Sequence, residues 1–137
     1  MEKKPVFVIH KHEATHLHYD FRLEIGRVLK SWAIPKRPSA DPDVKRLAIS
    51  TPNHPLSYKN FKGTIPEGEY GAGKVSIWDK GTYENLRDVS MSKSYKEGKI
   101  VICLKGKRLK GNYTLVRMKR SLQPGKPPQW LLIKMKH

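Results

Sequence analysis

His16-Leu17-His18-Tyr19-Asp20-Phe21-Arg22-Leu23-Glu24-Ile25 alternates without interruption. Successive side chains of an extended strand point to opposite faces. One face therefore carries Leu17, Tyr19, Phe21, Leu23 and Ile25, all apolar or aromatic, and the other His16, His18, Asp20, Arg22 and Glu24, all ionisable. The apolar row predicts a strand laid on a core. Working outward, further extended segments are predicted at Val6–His10, Val28–Pro35, Arg46–Ser50, Lys74–Asp79, Lys99–Leu104, Gly111–Met118 and Gln129–Met135, and the first stretch itself runs Thr15–Ile25. Gly26, Pro38, Pro42, Pro52, Pro55, Gly63, Gly71, Gly73, Gly81 and Gly98 punctuate them. About eight short strands with Gly/Pro turns predict an all-β domain, a barrel or a sandwich. Asp41–Lys45 and Met91–Gly98 each have room for a helical turn, and Lys119–Pro128 reads as a loop. No linker divides the chain, so residues 1–137 read as one domain.

The charge balance points to a partner. The 28 Lys+Arg residues outnumber the 12 Asp+Glu residues, giving a formal charge of +16. From Gly98 to His137 there is no carboxylate side chain, while Lys99, Lys105, Lys107, Arg108, Lys110 and Arg117 all fall there. Self-repulsion on this scale opposes compaction, and its usual use is attraction to a polyanion. A thermophile's charged surface would enrich Glu alongside Lys. An anionic membrane fits less well, because no long basic amphipathic helix is evident. No apolar run is long enough to span a bilayer, and no apolar signal region follows Met1-Glu2-Lys3-Lys4-Pro5. The lone Cys103 excludes an internal disulfide framework and fits a reducing compartment. A cytoplasmic protein, bound to no membrane and monomeric, is the expectation.

Two histidines, an aspartate and an arginine in strict alternation are more than an ordinary solvated face, which draws on Lys, Thr, Glu and Ser. Neighbours on that face lie ~6.6 Å apart along the strand, close enough to converge on one small ion or anion. His and Asp supply nitrogen and oxygen ligands for a divalent transition ion. Arg22 on the same face suits forked contact with a phosphate beside it. A third ligand must come from outside this strand, with His10 and His12 nearby; spacing alone leaves open which of His10, His12, His16 and His18 take part. Gly68–Lys74 imitates a nucleotide-binding GxxxxGK loop, but Val75 stands where a magnesium-binding hydroxyl is needed, and the segment opens a strand rather than a helix. Nucleotide hydrolysis is rejected, and the glycines read as tight turns.

Phe7-Val8-Ile9-His10-Lys11-His12 followed by Leu17-His18-Tyr19-Asp20-Phe21-Arg22-Leu23-Glu24 resembles the signature of the 3′-phosphoesterase family, best known as a module of bacterial ligase D. The resemblance continues through Leu29–Lys36, Val44–Ala48, His54–Tyr58 and Phe61–Gly73, and more loosely through Trp130–Lys134. It implies an eight-stranded β-barrel-like fold and a manganese-dependent site on a concave surface, with Co2+ or Zn2+ as substitutes for Mn2+. Such enzymes remove a 3′-terminal ribonucleoside from a DNA primer strand and then the remaining 3′-phosphate, leaving a 3′-OH for a ligase. Matched position by position, His12, His18 and Asp20 are the implied metal ligands. Arg22 and His54 engage the phosphate, Tyr58 is a further site residue, and Lys36 and Arg46 assist with substrate. His16 falls where the family accepts other residues.

Two departures weigh on the second step. Only six residues precede Phe7, where ligase D modules carry an arm, and Pro52 stands where an acidic residue is common. The phosphodiesterase step is therefore the firmer expectation. With no ligase or polymerase segment on the chain, the implied partners are DNA primer–template 3′ ends and a separate ligase. A different class of reading is a non-catalytic basic β-barrel that binds nucleic acid. A binder needs stacking aromatics on its polar face, and Tyr19 and Phe21 alternate onto the apolar one. The enzyme is the stronger reading.

Overall fold

The computed structural model describes residues 4–119 and 125–136. Nine strands form: β1 Val6–Glu13, β2 Leu17–Ile25, β3 Val28–Ile34, β4 Lys45–Pro55, β5 Gly63–Ile65, β6 Gly73–Asn85, β7 Lys99–Lys105, β8 Lys110–Arg117 and β9 Gln129–Lys134. A 3₁₀ turn, Leu56–Asn60, follows β4, and the helix α1, Met91–Glu97, precedes β7. Every pairing is antiparallel, in the order β1-β2-β3-β4-β9-β8-β7-β6. Pairing of β1 with β6 closes these eight strands into a barrel, and β5 hangs on β6 as a short ninth strand. Closure removes the exposed edges that an open sheet leaves for aggregation. Among the described residues, no helix is long and apolar enough to cross a membrane.

The barrel interior is filled by the apolar row. Tyr19, Phe21, Leu23 and Ile25 are buried with Phe7, Ile9, Trp32, Ile34, Tyr113, Leu115 and Trp130. Leu17, first in the row, is the exception and remains exposed near the β1–β2 turn. Trp32 meets Trp130 edge-on at 5.4 Å, and Tyr95 of α1 stacks on Trp130 at 5.7 Å. The helix thus lays Tyr95 and Met91 against the core. Ser90 caps its first turn by accepting from the Lys93 N–H, and Gly98, left-handed at φ +80°, ends it.

Most element positions match the pattern in the sequence, and the exceptions have physical causes. The helical turn expected at Met91–Gly98 forms, but Asp41–Lys45 does not become helical. There the Asp41 carboxylate accepts the Asp43 N–H, and its carbonyl the Val44 N–H, a tight turn that ends after one bond. β1 outruns its expected end at His10, because Lys11, His12 and Glu13 still pair with both β2 and β6. β4 runs through Pro52, which falls where the register with β3 slips between Leu29 and Ser31, so the missing N–H disrupts little. β6 runs through Gly81 because the strand passes close to its neighbour there. A Cβ at Gly81 would lie 2.1 Å from the Lys105 carbonyl oxygen. The loop Lys119–Pro128 lies largely outside the described residues.

Gly73 opens β6 at φ +125°, and a Cβ there would stand 2.3 Å from the Glu13 carbonyl oxygen. Gly73→Ala should therefore destabilise the fold by ~2 kcal/mol or more, from backbone strain and overpacking together. Urea unfolding with an unchanged m-value and a lower midpoint would show it; an unshifted midpoint would mean that β6 can retreat from β1 at no cost.

Candidate active site

The ionisable face of β2 lies on the outside of the barrel wall, yet its centre is buried. Asp20 and Arg22 are 6% and 4% exposed. Their cover is the segment from His54 to Ala72, which returns over β1–β3 and contributes His54, Tyr58, Ile65, Tyr70, Gly71 and Ala72 to the walls of a cavity of about 380 Å³. Strand register assembles the floor. His12 faces His18, and His10 faces Asp20, across β1–β2; Arg22 faces Ser31 across β2–β3.

His12, His18 and Asp20 converge so that one ligand atom from each lies within 4.8 Å of the others. His12 Nδ1 is 3.1 Å from His18 Nε2, and the two stand 3.5 and 3.3 Å from the Asp20 carboxylate. Hydrogen bonds on the far side of each ring set the tautomers. His12 Nε2 reaches the Gly71 and Ala72 carbonyls at 2.8 and 3.2 Å, and His18 Nδ1 the His16 carbonyl at 3.2 Å. Carbonyls only accept, so these nitrogens carry the hydrogens. His12 Nδ1 and His18 Nε2 are left as lone pairs facing each other and a carboxylate, an arrangement that a proton or a cation must bridge. Carbonyls that orient ligating imidazoles from behind are the usual support of a metal site. Three N/O donors of this kind suit a divalent transition ion.

The ionisation states follow from the packing. A proton on His18 Nε2 is favoured by the hydrogen bond it makes to Asp20, which raises the His18 pKa against the opposing effect of burial. Burial works against the Asp20 carboxylate, but the hydrogen bond it accepts from a protonated His18 and the charge of Arg22 outweigh it and hold its pKa below the ordinary value.

Arg22 is held from all sides. Its Nε donates to His10 Nδ1 at 3.0 Å and its Nη1 to Ser31 Oγ at 2.9 Å. Nη1 also lies 3.0 Å from His54 Nδ1, and Nη2 lies 3.4 Å from Asp20. Burial lowers its pKa somewhat, and Asp20 opposes this. His54 accepts from Arg22 through Nδ1, which leaves its hydrogen on Nε2. Burial first, then Arg22, lower its pKa and keep it neutral. The Tyr58 ring packs on His54 at 4.5 Å and on Phe61 at 4.7 Å, with the guanidinium 5.0 Å away. Burial raises the Tyr58 pKa, so the phenol stays protonated.

The structure thus brings together His12, His18, Asp20, Arg22, His54 and Tyr58. It places Lys36 and Arg46 in a separate groove with Pro35, Lys45 and Leu47, where Arg46 Nε donates to the Arg37 carbonyl. His16 is exposed and takes part only through its carbonyl. The Gly68–Lys74 segment turns into β6 with left-handed glycines at 68, 71 and 73, in keeping with a turn and not a nucleotide loop. Three contributors escaped the sequence reading. Ser31 would have emerged from β2–β3 register, and the Gly71 and Ala72 carbonyls carry no side-chain signal at all.

His10 is withdrawn from the ligand candidates. Its Nε2–H donates to the Phe61 carbonyl at 3.0 Å while Nδ1 accepts from Arg22, so neither nitrogen is free. Burial, then Arg22, push its pKa down from 6.5 to about 4. The folded protein therefore keeps His10 neutral between those values while the unfolded chain binds a proton. Its contribution to stability is lost as the pH falls through that window. His10→Gln should flatten the loss by up to ~1.4 kcal/mol per pH unit. Urea unfolding across the window tests this in the metal-free protein. An unchanged slope would mean that folded His10 accepts its proton despite Arg22.

Comparison with known proteins shows the family. Residues 10–117 match the family described as DNA Ligase D 3'-phosphoesterase domain. The chain is 45% identical over 130 residues to the Multifunctional non-homologous end joining protein LigD of Pseudomonas aeruginosa, covering 95% of this chain and 15% of that protein. It is 49% identical over 111 residues to the Multifunctional non-homologous end joining DNA repair protein LigD of Mycobacterium tuberculosis, covering 81% and 14%. To the Mycolicibacterium smegmatis protein LigD it is 41% identical over 134 residues, covering 95% and 17%. This chain therefore corresponds to a small fraction of each relative's length. The matched span begins at His10 and takes in every residue of the buried polar cluster, and on that footing the chain belongs to the DNA Ligase D 3'-phosphoesterase domain family.

Proposed function

We propose that the protein is a metal-dependent phosphoesterase that heals DNA 3′ ends during end-joining repair. It cleaves the phosphodiester that joins a 3′-terminal ribonucleoside to a primer strand, then removes the 3′-phosphate, and leaves a 3′-OH for a separate ligase. The observation that carries this reading is the pair of inward-facing imidazole lone pairs beside Asp20, with the Arg22 guanidinium against the same carboxylate. His12, His18 and Asp20 would hold the ion, Mn2+ by preference, with Co2+ or Zn2+ as substitutes. A divalent ion there supplies Lewis-acid stabilisation of charge developing on the phosphoryl group.

The protein's own groups do the rest. Negative charge grows on the phosphoryl oxygens as water attacks phosphorus, and donors already in position stabilise it without reorganising. Arg22 is immobilised by His10, Ser31, His54 and Asp20, so its charge and its remaining Nη2–H meet a phosphate ready oriented. The His54 Nε2–H and the Tyr58 hydroxyl are two neutral donors on the same wall. In the first step water adds OH to phosphorus and its remaining proton ends on the departing ribonucleoside's 5′ oxygen. Lys36 and Arg46, which line a separate groove, would take strand phosphates away from the reacting one, contacts that position without reading sequence.

The test is a labelled primer–template ending in one ribonucleotide, incubated with and without manganese and sized on a gel. The expected result is a primer one nucleoside shorter with a 3′-phosphate, followed by a 3′-OH product, and neither without metal. Tight duplex binding with no cleavage at any metal would instead favour the non-catalytic basic barrel.

A further inference from the structure

Tyr70 is 81% exposed, the largest exposure among the large apolar side chains of the described residues, yet it lines the cavity of the candidate site. Tyr58 has both neighbours it needs in His54 and Phe61. Tyr70, among the described residues, stacks on no other ring. Its position is nonetheless held. The two residues that follow it, Gly71 and Ala72, give their carbonyls to His12 Nε2, and the turn around it is closed by Glu69 N–H to Pro66 and Ala72 N–H to Glu69. Left-handed Gly68 and Gly71, at φ +87° and +78°, bracket the short segment that carries it. An aromatic ring ordinarily buries most of its surface. Here one is kept in water on a fixed support at the rim of a phosphate-sized polar centre.

We infer that Tyr70 is the stacking platform for the nucleobase of the 3′-terminal nucleoside, the one that departs. The inference rests on the function proposed above and names what recognises its leaving group. Bases inside a duplex have both faces covered by their neighbours, whereas the terminal base has one face free. A cavity of about 380 Å³ is roomy for a phosphate alone and has space for the nucleoside beyond it. Ile65, Ala33 and Ala72 supply the apolar part of its wall. Stacking on a tyrosine tolerates any base, since every base presents a π-face. The site would therefore recognise that a nucleoside is present without reading which one.

The decisive experiment pairs two enzymes with two ends. Wild type and Tyr70→Ala are each assayed for kcat/KM on a primer–template ending in a ribonucleotide and on the same primer ending in an abasic ribose. Removing the base should cost the wild type about tenfold. Tyr70→Ala should lose about tenfold on the base-bearing end and nothing further when the base is removed, while Tyr70→Phe should behave as wild type. Equal losses on both ends would place Tyr70 on the retained strand or in the scaffold and overturn the inference, as would an unimpaired Tyr70→Ala. A wild-type enzyme that cleaves neither end would overturn the proposed function itself, and with it this role.

Discussion

Asp20→Asn is expected to lower turnover of a ribonucleotide-ended primer by on the order of 10³-fold while leaving duplex affinity close to wild type. Asn matches Asp in size, so the change removes charge and ligand strength and little volume. Asp20 serves three partners at once. It lies 3.3 Å from His18 Nε2 and 3.5 Å from His12 Nδ1, and faces Arg22 Nη2 at 3.4 Å. Without its charge the lone pairs of His12 and His18 face a neutral amide and hold a cation poorly. The buried guanidinium of Arg22 also loses its carboxylate, and an uncompensated charge in such a place costs ~3–5 kcal/mol. The variant should therefore melt at lower temperature as well as turn over slowly. Initial rates at saturating manganese, with a thermal melt on the same sample, separate the two effects. A variant that stays folded at the assay temperature and keeps full turnover would remove Asp20 from the chemistry. Duplex affinity is expected to persist because it draws on the protein's excess of Lys and Arg, none of which this change removes.

Arg22→Lys is the second large effect, with an expected loss of ~10²–10³ in kcat and a smaller change in KM. Charge is conserved, so the loss isolates geometry. The guanidinium distributes its bonds over three nitrogens in one plane: Nε to His10, Nη1 to Ser31 and His54, Nη2 towards Asp20. A lysine offers one nitrogen at the end of a flexible stem. It can satisfy some of these partners but cannot hold all of them while keeping a fixed donor on the phosphate. Buried partners left unpaired cost ~1–3 kcal/mol each, so lower stability should accompany the loss of rate. A lysine variant within tenfold of wild type would show that a point charge suffices and that the fork is dispensable.

The two effects share a cause, and it is visible in how the cover is built. Phe61 accepts from His10, His10 accepts from Arg22, and Arg22 ties Ser31 of β3 to His54 at the end of β4. The chain between His54 and Ala72 is thereby fastened to the barrel wall through the very groups that face the cavity. Binding geometry and local stability are coupled here, which is why both predictions combine a rate with a melt.

The alternation from His16 to Ile25, with the other extended segments between Gly/Pro turns, was enough to assign an all-β fold and to put Asp20 and Arg22 on one polar face set against a core. Strand periodicity is a local property, and it survives folding because each strand must bury one row. The resemblance carried by Phe7–His12 and Leu17–Glu24 put His12, His18 and Asp20 on one ion, and the geometry brings those three together. Residue order could not choose between His10 and His12, which share one face of β1. That choice was made by Phe61, some fifty residues later, whose carbonyl claims His10, and by Gly71 and Ala72, whose carbonyls turn the ring of His12 towards His18. The burial of the polar row was equally out of reach, since it depends on a return of the chain over β1–β3. Backbone carbonyls have no sequence signature, and register across strands follows from packing of the whole barrel. Local pattern settled which residue types face which way; long-range closure settled which of them touch.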